Sequence, residues 1–128
     1  MNYSQALNQY QQVKVQTSVE DATPHRLIEL LLQGFSARVG EARVAMVNQK
    51  TEIKGEKISK ALDILSGLRG SLDFDTGEEI AVKLDDLYDY MGRQLVSANV
   101  NNDVETCDEV IELMAVIQSA WTEIREAS

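Results

Sequence analysis

The pattern of apolar and polar residues along the chain predicts four long amphipathic helices and no strands. Apolar residues recur every three or four positions through most of the chain, the spacing that places them on one face of an α-helix. The predicted helices cover about 24–48, 52–73, 77–100 and 104–126. Because the polar turns between them are short, consecutive helices are expected to run antiparallel. The predicted fold is therefore an all-α, antiparallel up-down four-helix bundle.

Residues at the expected helix starts support these boundaries. Thr23 offers an N-cap hydroxyl, and Pro24 follows at the first helical position, where its missing N–H costs nothing. Thr76 and Glu79 have the spacing of a capping box, and Asp103 is a favourable N-cap for the last helix. We therefore expect helices to begin close to these three points.

The N-terminal segment differs from the rest because it is polar, rich in glutamine and only weakly periodic. A segment this short and polar does not hold a helix by itself, so it must either dock on the bundle or fray. We predict a single domain over 1–128, in which residues 1–22 form a mobile N-terminal cap or tether, helical or extended. Residues 23–126 form the bundle.

Residues 84–99 carry the most informative apolar stripe of the chain. Its members share one helical face: Leu84, Leu87, Tyr88, Met91, Leu95 and Ala98. The stripe is wider than packing between two helices requires, and it includes tyrosine and methionine, which suit a surface that adapts to a partner. Two interpretations stay open: an ordinary core face, and a binding surface that is dry in one state and occupied in another.

The charge of the chain argues against nucleic acid as a partner. With 12 Lys and Arg against 21 Asp and Glu, the 128 residues carry a net charge of -9 and show no compact basic cluster. The single cysteine, Cys107, allows no internal disulfide and fits a reducing compartment. The N-terminus lacks the features of a cleaved signal, and no apolar run approaches the ~20 residues that cross a bilayer. We expect a cytoplasmic protein without stable membrane insertion.

Residues capable of chemistry do not form a recognisable catalytic or metal site. A di-metal bundle needs two Glu-x-x-His pairs, but the chain contains one histidine. Asp73-x-Asp75-x-Gly77 resembles the start of a calcium loop, yet its twelfth position is Leu84 rather than a bidentate glutamate. Cys107 lies on the inward face of its helix without an activating neighbour. We expect no metal, no cofactor and no enzymatic activity, and we interpret the chain as a binding module.

His25 supports an alternative function, because histidine phosphotransfer domains are also four-helix bundles. In those domains the histidine is exposed in the middle of a helix. His25 instead follows Pro24 in a first helical turn, where the helix dipole disfavours an imidazolium. A phosphotransfer bundle that uses His25 is the alternative prediction, and a structural bundle that only self-associates is a third.

Short motifs follow one another along nearly the whole chain. They are Ala6-x-x-x-Tyr10, Pro24-His25-x-Leu27-Ile28, Leu31 through Gly34, Ser59-Lys60-Ala61-x-Asp63-Ile64-Leu65, Ser71-Leu72-Asp73, Gly77-Glu78-x-Ile80-Ala81, Leu87-Tyr88-Asp89-Tyr90-Met91-x-Arg93-x-Leu95, Ala98-Asn99-x-x-Asn102-Asp103, Glu109-Val110 and Ala120-Trp121. The segment from Leu87 to Asn99 is the most specific of them. In this order the motifs resemble the FliS family of bacterial flagellar secretion chaperones, which keep flagellin soluble before export.

The resemblance implies a function and a set of partners. It implies a cytoplasmic export chaperone that clamps the C-terminal segment of flagellin in a hydrophobic groove, where that segment folds into helices as it binds. It implies that binding prevents premature polymerisation, and that the complex is presented to a protein of the flagellar type III export gate. It also implies that the N-terminal segment with Tyr10 covers part of the groove until flagellin displaces it. A weak homodimer is left open.

The resemblance also implies which residues contact flagellin. By their match to the family motifs, the expected partner-binding residues are Tyr10, Ile28, Leu31, Leu32, Tyr88, Met91, Leu95 and Asn99. For the aliphatic members, an ordinary core position is the competing interpretation.

Overall fold

The structure is a computed structural model that describes residues 23–127, with side chains described through residue 124. It contains four helices, α1 (Pro24–Val47), α2 (Thr51–Gly70), α3 (Glu78–Asn101) and α4 (Val104–Ala127), and residues 23–127 include no strand. The all-α prediction is confirmed, and each predicted helix boundary lies within three residues of the observed one. The predicted N-terminal cap, with Tyr10, lies outside the described residues.

The helices pack in a ring in which each contacts the next along the chain, and α4 closes the ring against α1. Side-chain pairs between opposite helix ends show the direction of each neighbour. Arg69 near the end of α2 pairs with Asp85 near the start of α3, and Arg43 near the end of α1 pairs with Asp108 near the start of α4. The predicted antiparallel up-down bundle is therefore confirmed.

The core is built from the inward faces of all four helices. Its largest fully buried side chains include Leu31, Leu32, Phe35, Met46, Ile58, Ile64, Leu68, Met91, Leu95 and Met114. Cys107 is also fully buried, with its Sγ 3.7 Å from the Sδ of Met46, and burial raises the pKa of its thiol. Because a buried, protonated thiol is a poor nucleophile, Cys107 acts as a small apolar core residue.

Two of the predicted helix caps are present. The Oγ1 of Thr23 accepts a hydrogen bond of 3.1 Å from the amide of Arg26, and Pro24 occupies the first helical position. The carboxylate of Asp103 accepts one of 3.2 Å from the amide of Thr106 at the start of α4. Both side chains satisfy an amide that the first helical turn leaves without a backbone partner.

The predicted capping box at Thr76 is wrong. The hydroxyl of Thr76 donates to the carboxylate of Asp73, and Gly77 is the residue at the N-cap of α3, without a side-chain cap bond. Asp73 also accepts hydrogen bonds from the amides of Asp75 and Thr76, at 2.9 and 3.2 Å. The Asp73 carboxylate therefore organises the α2–α3 turn, and Thr76 belongs to that turn rather than to the cap of α3.

The stripe predicted on residues 84–99 is inward over most of its length. Tyr88, Met91, Leu95 and Ala98 are buried, whereas Leu87 is 38% exposed. α3 turns the face between Tyr88 and Leu95 toward the core, which leaves Leu87 at the margin. None of the four helices combines the length and the apolar character needed to cross a bilayer.

Candidate functional site

Two openings in the bundle surface lie on either side of the Tyr88 side chain. The larger, of about 380 Å³, runs between α2 and α3, and we call it the α2–α3 groove. The smaller, of about 70 Å³, lies at the end of the bundle where α1 and α3 begin and α2 and α4 end, and we call it the end pocket. Tyr88 lines both openings and forms the wall between them.

The α2–α3 groove has an apolar floor that depends on a glycine. Leu62 and Leu65 of α2 face Gly92 and Val96 of α3 across the groove. A Cβ atom on Gly92 would lie 3.3 Å from Cδ2 of Leu65 and 3.8 Å from Cδ2 of Leu62. The missing side chain at position 92 therefore lets Leu65 pack closely against the backbone of α3.

Charged side chains border the groove, and they are paired with one another. The Nε of Arg69 donates to Asp85 at 2.7 Å, while its Nη1 donates to Asp89 at 3.4 Å. The Nε of Arg93 donates to the same Asp89 at 2.9 Å. The hydrogen bond from Arg69 lowers the pKa of Asp85. Arg69, Asp89 and Arg93 line the groove, and Asp85 pairs with Arg69 from outside this lining.

Tyr88 is a buried side chain that remains uncharged. The residue is 3% exposed, and desolvation raises the pKa of its phenol to about 12, so the hydroxyl stays protonated. The ring is therefore an apolar, uncharged part of the lining of both openings.

The structure brings three of the predicted binding residues together at the end pocket. Ile28 and Leu32 of α1 line it with Tyr88 of α3. Leu72 and Leu84 continue the apolar lining where the turn between α2 and α3 begins and ends. The role of these residues in partner binding stays a prediction.

The other predicted residues have different surroundings. Leu31, Met91 and Leu95 are fully buried in the core and line neither opening. The carbonyl of Asn99 accepts a hydrogen bond of 2.9 Å from Nζ of Lys54, at the far end of the bundle. Tyr10 precedes the described residues.

Residues of the α2–α3 groove include two that sequence reasoning missed. Gly92 and Val96 follow Tyr88 at intervals of four residues, which places all three on one side of α3. This spacing is visible in the sequence and is the signal that identifies the groove side of the helix. The apolar stripe of residues 84–99 does not include these positions, because Val96 lies outside it and glycine has no apolar side chain.

His25 is held in a paired arrangement with Trp121 of α4. The Nε2 of His25 donates to the carbonyl of Trp121 at 2.9 Å, and the indole Nε1 of Trp121 donates back to the carbonyl of His25 at 2.9 Å. The two rings stack with centroids 4.5 Å apart. Because Nδ1 of His25 is buried, neither ring nitrogen is open to a phosphoryl donor, and this geometry argues against the phosphotransfer alternative.

A second polar cluster closes the opposite end of the bundle. Lys54 of α2 is 8% exposed, and its Nζ donates to the carbonyl of Asn99 and, at 3.3 Å, to Oδ1 of Asn102. Asn102 adopts a left-handed conformation with φ of 53° at the end of α3, and its Nδ2 donates to the carbonyl of Met46 at 3.4 Å. One lysine thus joins the end of α3 to α2, and one asparagine joins it to α1.

Comparison with known proteins identifies the family. The sequence model of the flagellar protein FliS matches residues 6–128, which is nearly the whole chain. The chain belongs to the FliS family. The resemblance inferred from the motifs is therefore confirmed.

Several curated relatives carry the family name, and the similarity covers most of their length. The chain is 47% identical to the flagellar secretion chaperone FliSB of Pseudomonas aeruginosa, over 91% of the chain and 92% of that protein. It is 40% identical to the flagellar secretion chaperone FliS of Salmonella typhimurium, over 97% and 93%, and 39% identical to that of Vibrio cholerae, over 93% and 88%. The names of these relatives describe chaperones of flagellar secretion rather than enzymes.

Proposed function

We propose that the protein is a non-catalytic chaperone that binds the C-terminal segment of flagellin and prevents its premature polymerisation. The observation that carries the proposal is an apolar groove beside Tyr88 in a chain of the FliS family. In this proposal the chaperone acts in the cytoplasm and delivers flagellin to the export gate of the flagellar type III apparatus. Its relatives are named as secretion chaperones, which supports a role in export.

The bundle surface suits recognition of an amphipathic helix. The α2–α3 groove follows two neighbouring helices, and its floor is formed by Leu62, Leu65, Gly92 and Val96. A partner segment that is unfolded when free gains its helical structure as its apolar face enters such a groove. The affinity is then the difference between a large apolar contact and the cost of ordering the segment.

We also propose that the N-terminal segment regulates access to this surface. Tyr10 and its neighbours supply one aromatic anchor on a polar chain, so docking of residues 1–22 is only marginally favourable. Flagellin therefore displaces the segment at a small cost. Replacing Tyr10 with alanine is expected to raise the affinity for flagellin, because a cap that competes for the groove is removed.

Calorimetric titration with a peptide from the flagellin C-terminus tests the proposal directly. We expect saturable one-to-one binding with a negative heat-capacity change, since apolar surface is buried on association. A peptide of the same composition in scrambled order serves as control because it lacks the apolar face. Sedimentation velocity of the free protein measures the weak homodimer separately. If the protein self-associates and no flagellin peptide binds, the chaperone proposal is wrong and the structural bundle remains.

A further inference from the structure

We infer that the seam between α3 and α4 carries a second binding surface, which takes a basic amphipathic helix of another protein. We call this surface the α3–α4 face, and it consists of Ile80, Leu87, Tyr90, Glu109, Leu113 and Val116. It lies on the α4 side of α3, whereas the α2–α3 groove lies on the α2 side. The inference does not depend on the proposed binding of flagellin in the groove, because the two surfaces share no residue.

Hydrogen bonds across the seam show which side of α3 faces α4. The hydroxyl of Tyr90 donates to Oε1 of Glu109 at 2.9 Å, and Nε2 of Gln94 donates to the same atom at 3.3 Å. Leu87 precedes Tyr90 by three residues and Gln94 by seven, so it lies on the same side of the helix. Ile80 precedes Leu87 by another seven residues and continues this line. The α4 side of α3 therefore carries two large aliphatic side chains.

The corresponding side of α4 is also apolar. Leu113 and Val116 follow Glu109 by four and seven residues, which places them on the side that Glu109 presents to α3. Leu113 is half-buried, whereas Val116 is 69% exposed, and across the seam Ile80 is 68% exposed. α3 and α4 are also the least closely packed of the four neighbouring helix pairs. Apolar surface along this seam is thus left uncovered by the bundle itself.

The carboxylates beside this apolar surface favour a cationic occupant. Between Val104 and Ile124, α4 contains five Asp and Glu residues and neither lysine nor arginine. Asp108 pairs with Arg43 of α1. Glu109 accepts its hydrogen bonds from uncharged side chains, which leave its negative charge in place, and Glu112 is exposed. A partner with lysine or arginine beside its apolar residues complements both the apolar strip and these charges.

A helix is the partner element that fits a seam between two helices. It presents apolar side chains at every third or fourth position, as the face does, and carries its basic residues along the flanks. A second copy of this chain would bring the same carboxylates to the contact, and like charges repel. Residues 1–22 contain one lysine and two carboxylates, so the N-terminal segment lacks the complementary charge. We therefore assign the face to a basic helix of another protein.

A model peptide of leucine and lysine tests the face, with about 18 residues and leucine at every third or fourth position. We expect the full-length protein to bind this Leu–Lys peptide one-to-one in calorimetry. The affinity should fall about tenfold between about 0.05 and about 0.5 M salt, because salt screens the carboxylates. A peptide with glutamate in place of lysine is the control and should not bind. Absence of binding by the Leu–Lys peptide, or equal binding of both peptides, would overturn the inference.

The variants Val116→Ser and Val96→Ser locate the bound peptide. Both valines are exposed, and Val96 lines the α2–α3 groove, so neither substitution should change the melting temperature appreciably. Val116→Ser should weaken binding of the Leu–Lys peptide about fivefold, because it removes apolar contact area. Val96→Ser should leave this binding unchanged. Equal affinities of the two variants would refute the assignment to the α3–α4 face.

The variants Glu112→Gln and Glu52→Gln test the charge. Each removes one carboxylate from an exposed position, but Glu52 lies in the first turn of α2, which is not a neighbour of α4. We expect Glu112→Gln to weaken binding of the Leu–Lys peptide about threefold and to make it less sensitive to salt. Glu52→Gln should change neither property. Equal losses would show that the peptide responds only to the net charge of the chain.

The flagellin C-terminal peptide separates this inference from the proposed function. We expect Val96→Ser, and not Val116→Ser, to weaken flagellin binding. If flagellin displaces the Leu–Lys peptide, the face belongs to flagellin and the second partner is refuted, while the proposed function stands. If the wild type binds the Leu–Lys peptide but no flagellin, the proposed function fails and the face stands.

Two further outcomes would assign the face to a different occupant and refute the basic partner helix. In sedimentation velocity, a concentration-dependent dimer that Val116→Ser dissociates would identify a second copy of the chain. In calorimetry, tighter binding of the Leu–Lys peptide by Tyr10→Ala than by the wild type would identify residues 1–22 as a competitor for the face. We expect neither result.

Discussion

α1 and α3 have the same length, 24 residues, but they contribute unequally to the bundle. Eleven residues of α1 are buried, against five of α3. The large apolar side chains that α3 exposes are Ile80, Val82, Leu87, Val96 and Val100, whereas α1 exposes Val44 and Val47. The apolar residues of α1 hold the fold together. Those of α3 leave apolar surface available for contact with another molecule.

The packing of the two helices explains the difference. α1 contacts both of its neighbours more extensively than α3 contacts either of its own. On one side of α3 the α2–α3 groove replaces part of the close contact with α2. The two helices therefore differ in how much of their apolar surface the bundle buries.

Amide hydrogen exchange is expected to show the largest difference between α1 and α3. Opening α3 exposes fewer buried apolar residues than opening α1, so its amides need less free energy to exchange. We expect protection on the order of a hundredfold stronger in the middle of α1 than in the middle of α3. Mass spectrometry of peptides that cover each helix measures this ratio. Equal protection in both helices would show that the bundle opens only as one unit.

Truncation of apolar side chains on the two helices is expected to differ several-fold in effect. Phe35 of α1 is fully buried, and Phe35→Ala should lower the free energy of unfolding by about 4 kcal/mol through lost burial and an internal cavity. Leu87 of α3 is 38% exposed, and Leu87→Ala should lower it by less than about 1 kcal/mol. Urea unfolding followed by circular dichroism measures both values. Similar losses would contradict the unequal roles of the helices.

The hydrogen bonds of Lys54 to Asn99 and Asn102 are expected to stabilise the packing of the C-terminal end of α3. Lys54→Met keeps the aliphatic chain but leaves the carbonyl of Asn99 and the amide oxygen of Asn102 without this donor. We expect a loss of about 2 kcal/mol in unfolding free energy and faster exchange at the end of α3. Lys83→Met on the exposed part of α3 removes only a surface pair with Glu79 and is the control. An equal effect of both variants would refute the role of Lys54.

The smallest predicted effect concerns the turn between α3 and α4. Hydrogen bonds from the hydroxyl and amide of Thr106 hold the pKa of Asp103 below its ordinary value of 3.8. A lowered carboxyl pKa stabilises the folded state above pH 3.8, and this contribution is lost as pH falls through the folded-state pKa. Asp103→Asn should therefore lose less stability than wild type between pH 5 and pH 3. Urea titrations measure the free energy of unfolding of both proteins at each pH. An equal loss in the two proteins would contradict the role of Asp103.

Much of the fold was predictable because its signals are local. The 3.6-residue period, the hydroxyl of Thr23 before Pro24 and the carboxylate of Asp103 act within one or two helical turns. Thr76 was misassigned because the helix begins one residue later, with Gly77 at the N-cap, and the Thr76 hydroxyl donates to Asp73 instead.

The candidate site was less predictable because helical periodicity shows on which face of a helix a residue lies but not how deeply it is buried. Leu31 and Ile28 lie on the same side of α1, yet Leu31 is enclosed in the core and Ile28 reaches the end pocket. Gly92 carries no side chain, and the α2–α3 groove forms only when α2 packs beside α3. The distance between helices is a tertiary property, and no local pattern encodes it.

The pairing of Trp121 with His25 has an optical consequence. Trp121 is the only tryptophan in the chain, and its indole lines the end pocket while it stacks on the imidazole ring. Its emission therefore comes from a single known place. A ligand that enters the end pocket should shift the wavelength and the intensity of the Trp121 fluorescence. A ligand confined to the α2–α3 groove should leave both unchanged. The protein thus contains its own reporter for telling the two openings apart.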